Sequence, residues 1–215
     1  MVATPERGIY LASRSPRRRE LLTQVGVRYH LLLFRERGAQ AGAAAQPELD
    51  ETPLAGEAPD AYVERLARAK AELGWQRMLQ RNLPSAPVLA ADTTVALDGR
   101  IFAKPADRKE AAEMLAAFSG RAHEVLTGIA VKMGERVESA LSRSEVRFKD
   151  LSAAEIRDYV ATGESDDKAG AYAIQGRAAR FIVELRGSYS GVMGLPLYET
   201  ASLLDRIALP DRKRA

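Results

Sequence analysis

Ser13, Arg14, Ser15, Pro16, Arg17, Arg18 and Arg19 stand between the apolar run Ile9 to Ala12 and a helical pattern that opens at Glu20, Leu21 and Leu22. Apolar run, polar turn and helical pattern in that order predict a strand, a tight connection and a helix. Ser15 has the side chain of an N-cap, and Pro16 suits the first helical position, where its missing N–H would go unpaired anyway. Arg17, Arg18 and Arg19 then fall in the first turn, where the helix macrodipole disfavours each cation by about 0.3–1 kcal/mol. An anion at this end would offset that cost. Free N–H groups at a helix start favour phosphate, and guanidinium forks grip it bidentately. A solvated arginine cluster is the plainer reading of so short a match.

Moving outward, Val27 to Phe34 reads as a second strand after a helix stop at Gly26, and Arg35 to Pro59 as a long loop with a low-complexity tract at Ala39 to Ala45. Asp60 is the expected cap of a long helix whose apolar face runs through Tyr62, Val63, Leu66, Ala69, Leu73 and Leu79, stopped by Pro84 and Pro87. Val88 to Leu97 is a buried strand pattern, turned at Asp98 and Gly99 into Ile101 and Phe102. Asp107 and Glu110 box a helix that runs to Phe118 and ends at Ser119 and Gly120; Ser152 and Glu155 box another that Gly163 closes. Between them His123 to Lys132 and Val137 to Phe148 form a hairpin turning at Gly134 and Glu135. Ala171 to Ile174 and Phe181 to Leu185 read as strands, and Pro196 to Ile207 as the last helix. Strands and helices mix without strict alternation, which predicts an α/β fold with a mixed sheet and flanking helices.

At 215 residues the chain is long enough for a sizeable core, and a single domain over 1–210 with a basic tail at 211–215 is expected. No run approaches the roughly 20 apolar residues of a membrane span, and Met1 to Gly8 lacks the apolar stretch of a secretory signal, so a cytoplasmic protein without a membrane partner is expected. With no cysteine, thiolate chemistry and cysteine metal sites are excluded, 2 histidines leave little room for a histidine cluster, and any metal would be a hard cation held by oxygen. A net charge of +3 from 32 basic and 29 acidic residues is too even for a protein that coats nucleic acid, so no stable nucleic-acid complex is expected.

Asp92 lies inside the apolar strand pattern, where a carboxylate is costly unless paired, protonated or bound to metal. It is the first catalytic candidate; a structural ion pair is the alternative. Lys104 follows the hairpin and precedes Pro105, so chain order lets it fold back towards Asp92, where an ammonium would take a phosphate oxygen. Lys70, after Arg65 and Arg68 on the long helix, reads by default as part of a solvated face. Glu48, Asp50 and Glu51 form an acidic group able to hold Mg²⁺ or Mn²⁺. Gln175 closes the stretch from Asp166 and both donates and accepts, which matches the N3–H and O4 edge of uracil or thymine.

Together these segments resemble the Maf family of nucleoside triphosphate pyrophosphatases. The likeness rests on Leu11, Ala12, Ser13 with Ser15 to Arg18; Asp50 to Leu54; Ala91, Asp92, Thr93; Lys104, Pro105; Ser119, Gly120, Arg121; Asp167 to Tyr172; and Gly194 to Leu197. Departures are a longer loop at Arg35 to Pro47, Ala103 in place of a common glycine, and Gly191 where asparagine is frequent. The resemblance implies a central elongated mixed sheet with two lobes around a cleft. It also implies Asp92 as catalytic acid or base, and Arg17, Lys70 and Lys104 as phosphate-binding cations, with Ser13 and Arg18 beside them. Asp50 and Glu51 would lie near a divalent metal shared with Asp92, and Arg17, Thr93 and Gln175 would influence the base accepted. The run ending in Ile174, Gln175, Gly176 looks like the branch that acts on dTTP and UTP; a homodimer is a further expectation. The reaction expected is hydrolysis at the α-phosphorus, releasing monophosphate and pyrophosphate. The alternatives are a preference for 7-methyl-GTP or for broad bases, and a regulator of cell division that binds nucleotide without turning it over.

Overall fold

The computed structural model describes residues 8–32 and 49–208. Strand β1 (Ile9–Leu11) leads through Ser15 into helix α1 (Pro16–Gln24), and Ser15 Oγ accepts from Arg18 N at 3.5 Å while Pro16 takes the first helical turn. The second strand is shorter than its apolar run: β2 is Tyr29–Leu31, and Phe34 lies outside the described residues, as do most of the Arg35 to Pro59 loop, the Ala39 to Ala45 tract and the tail at 211–215. Helix α2 (Pro59–Gln80) is capped by Ala58, not Asp60. Pro59 fixes φ for the first turn, which moves the cap two residues earlier and leaves Asp60 as a dipole-favoured acid inside that turn.

The buried face of α2 is Tyr62, Val63, Leu66, Ala67, Ala71, Gly74 and Met78. Ala69 and Leu73 are only partly covered and Leu79 is 54% exposed. The packed stripe uses small residues because the helix lies close on the sheet: a Cβ on Gly128 would meet Val63 O at 2.5 Å. Gly128→Ala is therefore expected to lower stability by about 2 kcal/mol through overpacking, a fall in Tm of about 4–8 °C for a chain of this length, measured by thermal unfolding.

Strand β3 (Val88–Leu97) turns at Asp98 and Gly99, both at positive φ, into β4 (Arg100–Phe102). Helix α3 (Arg108–Phe118) is capped by Asp107, whose Oδ1 accepts from Glu110 N at 2.8 Å; Glu110 reaches Ala106 N rather than Asp107 N, so the box is open on one side. The long hairpin is β5 (Ala122–Met133) and β6 (Arg136–Phe148), and α4 (Ala153–Val160) carries a full Ser152–Glu155 capping box. Ala171 to Ile174 is not a strand. Gly170 at φ 67° and Ala171 at φ 60° place left-handed residues there, and Ala169–Ala171 forms a single 3-10 turn. After β7 (Ile182–Arg186) comes a short helix α5 (Tyr189–Met193), and then α6 (Leu197–Ala208).

The described strands form one seven-stranded sheet in the order β2-β1-β3-β5-β6-β7, with β4 also on β3. β1 is parallel to both neighbours, and the remaining pairings are antiparallel. β3 pairs with β5 from Val88 to Ala96, but its other edge meets β1 only at Val88 and Leu89 and β4 only at Val95 to Leu97. Between those contacts the edge is open, and Asp92 and Thr93 lie in the opening. Separate cores flank it: Ile9, Leu11, Leu22, Leu89 and Leu203 on one side, Val95, Phe118, Phe148 and Phe181 on the other. The break in pairing along β3 thus separates two lobes and makes the cleft. No described helix is long and apolar enough to cross a membrane.

Candidate active site

The open edge of β3 is the floor of a cavity of about 770 Å³. The β1–α1 connection brings Ser13, Arg17 and Arg18 to it, the segment before α2 brings Glu51, α2 itself Lys70, and β3 Asp92 and Thr93. Lys104 arrives after β4 and Gln175 from the turn region beyond α4, so nine of the residues singled out from sequence line one cavity. Arg17 and Lys104 share it with Asp92. Asp50 does not line it: its Oδ1 accepts from Thr52 N at 2.9 Å, which turns the carboxylate along the loop. Arg19 is also outside it, and Glu48 lies outside the described residues.

Asp92 is 8% exposed. Lys70 Nζ sits 2.6 Å from Asp92 Oδ1 and 2.7 Å from Glu51 Oε1, so two carboxylates converge on one ammonium. Lys70 follows Val63 by two helical turns and so belongs to the buried stripe, not to a solvated face. Gly128 lies opposite Asp92 in the strand pairing, and its missing side chain lets α2 come near enough for Lys70 to reach. Burial raises the Asp92 carboxyl above the usual aspartate range, against the pull of Lys70 and Arg18. Glu51 is pushed up by partial burial but ends below its ordinary value, because Lys70, Lys104 and Arg18 outweigh that push. Tyr62 fixes this acid from behind, its hydroxyl donating to Glu51 O at 2.9 Å.

The two arginines of α1 divide their work. Arg18 donates from Nε to Gly194 O at 2.8 Å, from Nη1 to Ser13 Oγ at 3.1 Å and from Nη2 to Thr93 Oγ1 at 3.4 Å. It therefore ties the β1–α1 turn to β3 and to the end of α5, with two of its five N–H groups left over. Arg17 is less committed: its Nε is buried with no hydrogen-bond partner among the described residues, as is Thr94 Oγ1, and both residues line the cavity. Buried donors of this kind call for a ligand or water. Burial lowers both guanidinium groups from their ordinary value, with Asp167 and Glu20 pulling Arg17 back up and Asp92 doing so for Arg18.

On the far wall, Gly170 N donates to Ala103 O at 3.1 Å and so links the Lys104 segment to the turn carrying Asp167 and Lys168. A Cβ on Gly170 would lie 2.6 Å from Val95 Cγ2, so only glycine allows this approach at positive φ. Sequence reasoning gave no role to Tyr62, Asp167 or Lys168, although all three line the cavity. The charged pair just before Ala169 and Gly170 was a visible signal for the last two; nothing in the residue pattern marked Tyr62. Tyr172 backs this wall, its hydroxyl 2.9 Å from the buried His123 Nε2, and burial pushes that imidazole down to about 3.

A family model described as Maf-like protein matches residues 8–207. Curated relatives agree. A protein of Aromatoleum aromaticum named dTTP/UTP pyrophosphatase is 58% identical over 202 residues, covering 94% of this chain and 96% of that protein. Proteins of the same name from Nitrosomonas europaea and Cupriavidus metallidurans are 54% and 52% identical, each covering 94% of this chain, and 95% and 97% of their own length. With a single family spanning both lobes and the cleft between them, the chain belongs to the Maf-like proteins.

Proposed function

We propose that this protein hydrolyses dTTP and UTP to the monophosphate and pyrophosphate. The observation that carries the reading is a buried acid, Asp92, in a nucleotide-sized cavity whose remaining charged lining includes Arg17, Arg18, Lys70 and Lys104. Relatives more than half identical across nearly the whole chain carry the name of that activity. Water attacks the α-phosphorus, the bond to the oxygen bridging the α and β phosphorus atoms breaks, and pyrophosphate leaves with that oxygen. Asp92 takes the proton of the attacking water, and a carboxylate raised by burial is a stronger base than a solvated one. Arg17 and Lys104 bind the departing pyrophosphate, where positive charge aimed at developing negative charge lowers the barrier.

The donor set also fits a divalent cation. Asp92 and Glu51 each meet Lys70 through one carboxylate oxygen and keep a second, and these two acids would hold Mg²⁺ or Mn²⁺, which typically binds through one or two carboxylates with substrate phosphates completing the shell. When bound, such an ion supplies neutralisation of the triphosphate charge. Asp50, turned away along its loop, has no part in that set.

Gln175, exposed at the cavity mouth, reads the uracil or thymine edge. A panel of nucleoside triphosphates with product identification tests the whole reading: pyrophosphate from dTTP and UTP is expected, and orthophosphate alone would overturn it. In Gln175→Ala, kcat/KM for dTTP and UTP is expected to fall about tenfold, the worth of one or two lost hydrogen bonds, with other bases less affected. An equal loss for every base would remove Gln175 from recognition.

A further inference from the structure

A line of hydroxyls runs under the cavity floor, and its two ends fix the direction of every proton in it. Arg18 Nη2 donates to Thr93 Oγ1 at 3.4 Å, and a guanidinium has nothing with which to accept. At the other end Thr127 Oγ1 donates to Gly191 O at 2.8 Å, and a carbonyl has nothing to donate. Thr93 Oγ1 and Thr127 Oγ1 are 2.9 Å apart. Thr127 has one proton and Gly191 takes it, so in this bond Thr93 is the donor.

Thr93 is thereby left without a proton to offer. One lone pair receives Arg18, and the remaining one is all it presents to a ligand. Thr93 lines the cavity whereas Thr127, directly opposite it in the β3–β5 pairing and wholly buried, does not. Strand register therefore holds the relay in place, and a rotation of Thr93 that reverses it gives up the Thr127 bond to Gly191 O, which then keeps only the bond from Gly194 N.

We propose that Thr127 is a positioning residue that makes Thr93 an acceptor-only contact, so that the cavity selects nucleotides presenting a hydrogen-bond donor at that point. The proposal rests on the pyrophosphatase reading. dTTP and UTP offer two such donors, the imide N3–H of the base and the 3′-hydroxyl of the sugar. Cytosine lacks the first, since its N3 is an acceptor, and a 3′-deoxynucleotide lacks the second. Without the Thr127 hydroxyl, the proton of Thr93 has no partner below the floor and turns towards the ligand, where it meets an acceptor as readily as the lone pair meets a donor.

The test compares UTP, CTP and 3′-deoxy-UTP in the full chain by steady-state pyrophosphate release, for the wild type, Thr127→Val and Thr127→Ser. The wild type is expected to prefer UTP over the analogue that lacks the recognised donor, and Thr127→Val to lose about tenfold of that preference, chiefly in KM, with kcat for UTP within about threefold. Thr127→Ser keeps the hydroxyl and restores the preference. Movement of the CTP arm identifies the base donor, and movement of the 3′-deoxy arm the sugar. Should Thr127→Val fail to fold, Thr127→Ala gives the same readout. Preference ratios within about twofold of wild type in the variant lacking the hydroxyl, or a wild type indifferent to both analogues, overturn the proposal. Failure of the underlying activity shows separately, as a wild type that releases no pyrophosphate from UTP or dTTP.

Discussion

Asp92→Asn is expected to lower pyrophosphate release from UTP at least about a hundredfold, the usual scale for removing a general base, with little change in KM and a Tm equal to or above that of the wild type. Asparagine keeps the shape of the side chain and one oxygen for Lys70, so the cavity and the converging cations persist. What disappears is the site that receives the water proton. Stability does not suffer because burial already disfavours the ionised form of Asp92 in the folded state. A group whose folded pKa lies above its unfolded value favours folding only at low pH and opposes it once ionised, so its removal relieves the folded state near neutrality. The wild-type rate should fall on the acidic side as Asp92 is protonated, and the residual rate of Asp92→Asn should lack that limb. Turnover that survives the substitution within about tenfold would exclude Asp92 as the base.

That Asp92 was legible as the reacting acid follows from where it stands. A carboxylate in a ten-residue apolar strand has to be explained, and β3 carries the bounds its pattern predicts. Local signals of the same kind placed Ser15 and Pro16 at the start of α1, Ser152 and Glu155 at the start of α4, and Asp98 with Gly99 at the β3–β4 turn. Each depends on a few neighbouring residues. Ala171 to Ile174 misled because its apolar residues fit a strand, whereas Gly170 and Ala171 adopt a left-handed backbone where the chain passes against Val95, far off in sequence. The α2 start misled because proline outcompeted aspartate for the first turn. Lys70 read as solvated because its neighbours Arg65 and Arg68 are charged, although Val63 two turns earlier lay on the predicted apolar face; what the residues alone could not show is that α2 approaches β5 at Gly128 closely enough for Lys70 to reach Asp92. The division between Arg17 and Arg18 was beyond reach of the residues alone, since it depends on Gly194 arriving from the end of α5.

Lys70→Met is expected to reduce turnover at neutral pH by at least about tenfold and to move the acidic limb of the pH–rate profile to higher pH, because the ammonium holds two acids apart as well as meeting the substrate. In the wild type, Asp92 Oδ1 and Glu51 Oε1 each lie within 2.7 Å of Lys70 Nζ. Without it the two carboxylates face each other across a partly buried space and titrate as a coupled pair, the first proton held strongly. Asp92, already raised, rises further and is ionised in fewer molecules at pH 7; Glu51 loses the first of the cations that hold it below its ordinary value. The sign of the stability change follows. Glu51 in the wild type favours folding above the ordinary glutamate pKa, a contribution lost as pH falls through its lowered folded value. In Lys70→Met both acids have raised folded values, so folding is favoured while they are protonated and the advantage is lost as pH rises through their range. The gap in stability between wild type and variant is therefore widest near pH 8 and narrowest near pH 4. With half of the Glu51 side chain solvated, it should reach on the order of 2 kcal/mol, below the figure for a fully buried pair. Thermal unfolding at the two pH values measures it, and a gap independent of pH would mean that Lys70 serves packing rather than the charge balance of Asp92 and Glu51.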